Sequence, residues 1–144
     1  MTFTPSPTRT ASRTQTPVKP SATPDLRTSR GVVQAAFAAY LARDETRLRE
    51  LYSDYGEGFC AFFTQTMIAC ISYPYIGKGL GSLLEWWVEP PEAPLTPIGD
   101  IVFLYSRWSN SDETWSQLFS LEKQGNQWLI QDNSTELYPS DRTH

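Results

Sequence analysis

Histidine is all but missing from this chain, whose one copy, His144, is its last residue. That removes the commonest general base near neutral pH from the body of the protein, and with it serine triads, cysteine–histidine pairs and histidine acid–base pairs. Cysteine is scarce as well. Cys60 and Cys70 with one terminal histidine cannot build a four-ligand zinc site, so neither a metal nor a cofactor is expected. Both cysteines lie in GFCAFFTQTMIACI, and if that stretch were one helix they would stand about 15 Å apart along its axis, beyond disulfide reach. Buried free thiols are the expectation; a bridge would need a turn between them.

Long apolar runs are also lacking. None approaches the ~20 residues that span a bilayer, and there is no signal-peptide core, so taken literally the chain works inside the cell. Residues 1–30 argue the other way. They hold eight Thr, four Ser and five Pro, with Phe3, Val18 and Leu26 as their large apolar groups, too few to offset the entropy of ordering. Stretches of this composition separate membrane anchors from extracytoplasmic domains, which makes residues 1–28 a disordered tail or linker and an extracytoplasmic site the expectation, with a cytoplasmic one as the alternative. The Thr-Pro and Ser-Pro steps at Thr4, Ser6, Thr16 and Thr23 also fit phosphorylation sites.

Positive charge is thin beyond that tail. Residues 1–30 carry a net +4 and the remainder −8, giving −4 in all, so the domain should repel nucleic acid. Contact with a membrane is expected only through an anchor preceding this chain.

What remains, residues 29–138 followed by a short tail at 139–144, has the size of one domain. Phe37, Tyr40, Leu41, Leu48, Leu51, Tyr52 and Tyr55 recur at helical spacing with one interruption at ARDET, which predicts helices over 30–42 and 45–55. Thr28 or Ser29 starts the first, and Asp44 caps the second by accepting from its first-turn amides. Gly56-Glu57-Gly58 should break the second helix, and 59–71 reads as a third. LLEWWV is a short strand or helix. Three strands follow, at 98–108, 113–122 and 127–134, joined by short turns in which Asn110 and Gly125 are suited to positive φ. Alternation puts Trp115, Gln117, Phe119 and Leu121 on one face of their strand and Trp128, Ile130 and Asp132 on one face of theirs. The 98–108 strand is apolar on both sides. An α+β fold follows, with N-terminal helices packed on a curved antiparallel sheet.

The opening pair VVQAAFAAYLARDETRLRELY and the closing hairpin SLEKQGNQWLIQDN, in this order, resemble the nuclear-transport-factor-2-like superfamily, which includes ketosteroid-isomerase-like and polyketide-cyclase-like proteins. The resemblance covers roughly 28–138. It implies a cone in which the sheet wraps a long helix, with an open end that often holds a small apolar ligand. The same cone serves non-enzymatic dimerisation and protein recognition, so function has to come from the site.

The isomerase branch needs a carboxylate base facing a phenol in an apolar pocket. Here Tyr40, Tyr52, Asp54, Tyr55, Tyr105, Gln117 and Asp132 are the candidates for cone-facing polar groups, and Tyr40 with Asp132 is the catalytic pair to consider. An unbroken register beyond Trp128 and Ile130 would turn Asp132 toward the core. GKGLGS at 77–82 fits neither nucleotide-loop spacing. Pro94-x-x-Pro97 and the acceptor pattern Asn133-Ser134-Thr135 are short motifs frequent by chance. Five tryptophans cannot all be central core, since each indole needs room and an N–H partner. Trp86, Trp87, Tyr105, Trp108, Trp115 and Gln117 are therefore the expected contacts of a partner or ligand. Two functions compete. One is a non-enzymatic module recognising a protein or its own copy, with a cone filled by Phe37, Phe103, Phe119 and Trp128. The other is a small-molecule binder or isomerase/cyclase-like enzyme with an open cavity.

Overall fold

The computed structural model describes residues 24–89 and 96–140. The Thr/Pro-rich segment with its four Ser/Thr-Pro steps, the first half of the Pro94-x-x-Pro97 pattern and the last four residues lie outside the described residues.

Among the described residues four helices, α1 (Ser29–Leu41), α2 (Glu45–Leu51), α3 (Asp54–Phe63) and α4 (Met67–Ser72), pack on a five-stranded antiparallel sheet, with a 3-10 turn at Tyr73–Tyr75. The strands are β1 (Leu83–Glu89), β2 (Gly99–Trp108), β3 (Thr114–Gln124), β4 (Gln127–Asn133) and β5 (Tyr138–Ser140). Their order is β1-β2-β3-β4, and β5 pairs with β3. The α+β class and the antiparallel meander agree with the sequence reading, and LLEWWV resolves as an edge strand.

Each helix starts on a side-chain oxygen that satisfies a first-turn amide. Thr28 accepts from Gly31, Asp44 from Arg47, Ser53 from Gly56 and Thr66 from Ala69. The interruption at ARDET is a left-handed residue, Arg43 at φ +59, which ends α1 and lets Asp44 cap α2 at once. Between the strands Gly125 takes φ +66, whereas Asn110, expected to do the same, stays at negative φ.

Gly56-Glu57-Gly58 does not break a helix; it lies inside α3. Gly56 is there because the helix crosses β4 at backbone distance: a Cβ on it would stand 2.3 Å from the Ile130 carbonyl oxygen. Gly58 has open space around its Cα. Gly56→Ala is accordingly expected to cost about 1–3 kcal/mol by forcing α3 off the strand. Gly58→Ala should add about 0.5–1 kcal/mol by relieving helix entropy. Urea unfolding of the two variants must show opposite signs.

The single helix expected over 59–71 is two helices. Thr64 ends α3, Gln65 takes φ +75, and Thr66 opens α4. That turn brings Cys60 and Cys70 to a Cα separation of 5.5 Å and a disulfide, so the expectation of free thiols is corrected.

Behind the sheet lies the core. Phe37, Leu48, Leu51, Ile71, Val88, Leu104, Phe119 and Ile130 are completely buried there, joined by Trp128. Phe103 does not belong to it. It faces the other side of the sheet, where its ring lies 6.2 Å from Tyr105.

Candidate functional site

The alternation of β4 breaks after Ile130. Leu121 pairs with Ile130 but Ser120 with Asp132, which leaves Gln131 as an extra residue and makes a bulge. Beyond it the faces exchange: Asn133, not Asp132, points inward and is 2% exposed. The expected core-facing Asp132 is thus corrected by one residue. The cause is tertiary. The Ser53 amide donates to the Ile130 carbonyl and Gly56 sits against the same strand, so the start of α3 occupies the ladder position at which β4 kinks.

Asn133 closes a small buried network. It accepts from the Tyr52 hydroxyl at 2.8 Å and donates to the Cys70 carbonyl at 3.3 Å. The Cys70 sulfur lies 3.8 Å from the Asn133 carbonyl oxygen, a contact without a proton, since the sulfur is bridged to Cys60. Both ends of its carboxamide are engaged, so in this fold the Asn133 side chain is not presented to solvent. Burial drives the Tyr52 phenol far above its usual range, with the charge of Asp132 adding to the effect, so Tyr52 stays neutral.

Asp132 itself is partly desolvated, which raises its pKa against the opposing hydrogen bond from the Asn133 amide. The folded carboxyl therefore keeps its proton to higher pH than the unfolded one, whose value is near 3.8. Stability falls as pH rises through that interval and then levels off. Asp132→Asn is expected to raise the melting temperature at pH 7, and the gain should vanish below pH 3.8 in a pH series of thermal melts.

A second network forms around Gln117, which is wholly buried at the inner face of β3. It accepts from the Tyr75 hydroxyl at 3.0 Å and donates to the carbonyls of Ile71 and Ser134 at 3.4 and 3.3 Å. Tyr75 comes from the 3-10 turn, where Pro74 at its first positions sets the backbone. The residue as a whole is partly exposed. Burial raises the phenol far above its ordinary pKa, the neighbouring Tyr40 adds to this, and a bond with Ser106 opposes it.

From Tyr75 an aromatic arc runs along the edge between helices and sheet. Its ring lies 5.2 Å from Trp108 and 6.3 Å from Phe37, and Phe37 lies 4.9 Å from Trp86 and 5.3 Å from Tyr40. The Trp108 indole donates to Ser106 and that of Trp115 to Ser111. Two cations rest on the flanking rings, Arg43 over Tyr40 at 5.5 Å and Lys78 over Trp115 at 5.4 Å. Tyr40, Trp86, Trp108 and Trp115 are each partly exposed.

The structure thus gathers Tyr40, Trp86, Trp108, Trp115 and Gln117 along one side of the sheet. Trp87 and Tyr105 are on the opposite face, stacked at 5.5 Å and 18°. Tyr40 and Asp132 do not meet: Tyr40 belongs to the arc and Asp132 to the bulge beside Tyr52. Of the other polar candidates, Asp54 and Tyr55 are exposed and Tyr52 is locked to Asn133. Sequence reasoning did not nominate Tyr75, Lys78 or Asn133. The first stands in a turn-rich stretch where periodicity is silent, and the last depends on the bulge.

No group of three metal-ligating side chains occurs among the described residues, and no described helix is long and apolar enough to cross a membrane. No family model matches the chain, and no curated protein or solved structure is significantly similar to it.

Proposed function

We propose that this is a non-enzymatic binding or assembly module of the nuclear-transport-factor-2-like kind. It works outside the cytoplasm on its N-terminal linker and recognises a protein partner or its own copy through aromatic surface. One observation carries the reading: two pairs that meet inside the fold, Gln117 with Tyr75 and Asn133 with Tyr52, are neutral and bonded to each other or to backbone carbonyls, and the buried carboxylate of Asp100 is held by the Ser29 hydroxyl rather than facing a phenol. Acid–base chemistry needs a titratable pair with pKa values near the working pH, and both buried phenols are shifted away from it. Partly exposed tryptophans on a rigid support are, by contrast, what binding surfaces use, since large aromatic rings supply contact area at small entropic cost. The core filled by Phe37, Phe119 and Trp128 and the helices-then-meander order support the same reading. So does the bridged Cys60–Cys70 pair, because disulfides persist in oxidising compartments.

Native mass spectrometry of the protein purified gently from its own cells is the test. A processed or lipid-bearing N-terminus with a bound protein partner is the expected result. An intact Met1, no partner and a bound small molecule would overturn the reading and favour the alternative, a small-molecule binder or isomerase/cyclase-like enzyme.

A further inference from the structure

The helices cover one face of the sheet. On the other face, cross-strand pairing sets Glu85, Trp87 and Glu89 of β1 beside Arg107, Tyr105 and Phe103 of β2. Thr114 and Ser116 of β3 come next in these rows, and Ser140 and Tyr138 of β5 lie beyond them. With no helix over it, this outer face should be wet. Yet Trp87, Tyr105, Thr114 and Ser116 are at most 8% exposed, and neither ring belongs to the core between helices and sheet. The cover comes from the same chain, because the burial is that of a single copy.

Five residues point to the segment that supplies it. Glu85, Trp87, Glu89, Tyr105 and Ser140 each interact beyond the contacts among the described residues. All five belong to the outer face, four by strand parity and Ser140 by its pairing with Thr114. Ser140 is also where β5 hands over to residues 141–144, Asp-Arg-Thr-His. From Ser140 the row runs through Thr114 and Arg107 to Glu85, about 14 Å across the strands, and four extended residues span about 13–14 Å. Residues 90–95, Pro-Pro-Glu-Ala-Pro-Leu, bring no cation to Glu85 and Glu89. Residues 1–23 enter near Leu26, whose carbonyl accepts from Trp128 of β4, at the end of the strand order opposite β1.

Arg142 has the chemistry this face fits. A guanidinium is planar, stacks on aromatic rings and can donate to two carboxylates at once. Trp87 and Tyr105 offer a stacked pair of rings, 5.5 Å apart at 18°, and Glu85 and Glu89 flank Trp87 along β1. Glu85 is shared with Arg107, which it meets at 3.0 Å.

We infer that residues 141–144 cross the outer face of the sheet, with Arg142 on the Trp87–Tyr105 stack between Glu85 and Glu89. The chain thereby closes one sheet face on itself, and the arc on the opposite side is the sheet's aromatic surface left to a partner. The docking does not rest on that partner.

Nuclear magnetic resonance of the full chain tests this through the indole N–H signal of Trp87, assigned by its loss in Trp87→Phe. Arg142→Ala should shift the signal and speed its hydrogen exchange about tenfold or more, and deletion of residues 141–144 should do the same. The Trp128 indole and the Ile130 amide should stay as they are, which separates an uncovered face from a loosened core. Arg142→Glu combined with Glu89→Arg should restore the slow exchange that either substitution alone removes. An unmoved Trp87 signal in both C-terminal variants overturns the proposal. So does a signal released by deleting residues 1–23 instead, which gives the face to the N-terminal segment. Failure of the charge swap to restore slow exchange overturns the seat assigned to Arg142.

Discussion

Replacing Cys60 and Cys70 together by alanine is expected to destabilise the domain by about 3 kcal/mol and lower its melting temperature by on the order of 10 °C. The bridge closes a short loop, with a sequence separation of 10, and chain entropy assigns about that much to a loop of this length. Native contacts go the same way. Both cysteines are at most 2% exposed in the core, and Cys70 supplies the carbonyl to which Asn133 donates. Urea unfolding with and without reductant checks the value: reduced wild type and the double-alanine variant should unfold at similar, lower midpoints. A reductant-insensitive midpoint would show that the bridge contributes nothing to stability.

The expectation of free thiols rested on one assumption, that GFCAFFTQTMIACI is a single helix. Nothing in its apolar spacing announces the left-handed Gln65, a residue without the β-carbon exemption of glycine. Thr64 and Thr66 are the legible signal, since both are better caps than helix interiors. Thr64 indeed donates back to the Cys60 carbonyl while Thr66 caps α4.

Local signals of this kind carried most of the fold. Asp44 and Thr28 mark helix starts by chemistry that acts within three residues, and the alternation of β3 put Gln117, Phe119 and Leu121 on the buried face. Where the reading failed, the deciding contact was distant in sequence. Glycine weakens helices and so marks Gly56 as a breaker in the sequence, yet its place in α3 is fixed by the Ile130 carbonyl. The bulge at Gln131 exchanges Asp132 for Asn133 because Ser53 bonds into the strand far from it in the chain. Residue type groups Tyr105 and Trp87 with the other aromatics, and strand parity sends them to the other face. The arc was half legible: tryptophan abundance flagged Trp86 and Trp108, but Phe37 and Tyr75, which join them, looked like core and turn.

That junction sets the largest single effect expected in the protein. Phe37 has no exposed surface and its ring touches those of Tyr40, Tyr75 and Trp86. Phe37→Ala should cost about 3–5 kcal/mol, from lost transfer energy and from a cavity that the rigid rings around it cannot collapse to fill. A domain of this size holds about 5–15 kcal/mol in total, so the variant approaches the folding threshold. Phe37→Leu is the informative companion, costing less and keeping the domain folded. If Phe37 only fills space, Phe37→Leu and Phe119→Leu will behave alike in partner binding once matched for stability. The arc predicts otherwise: Phe119 touches none of these rings in pairwise aromatic contact, whereas Phe37 props Trp86 and Tyr75 toward the surface. Phe37→Leu should therefore weaken partner binding at a temperature where both variants are fully folded, with the loss in the dissociation rate, because mispositioned rings shorten the complex's life more than they slow encounter.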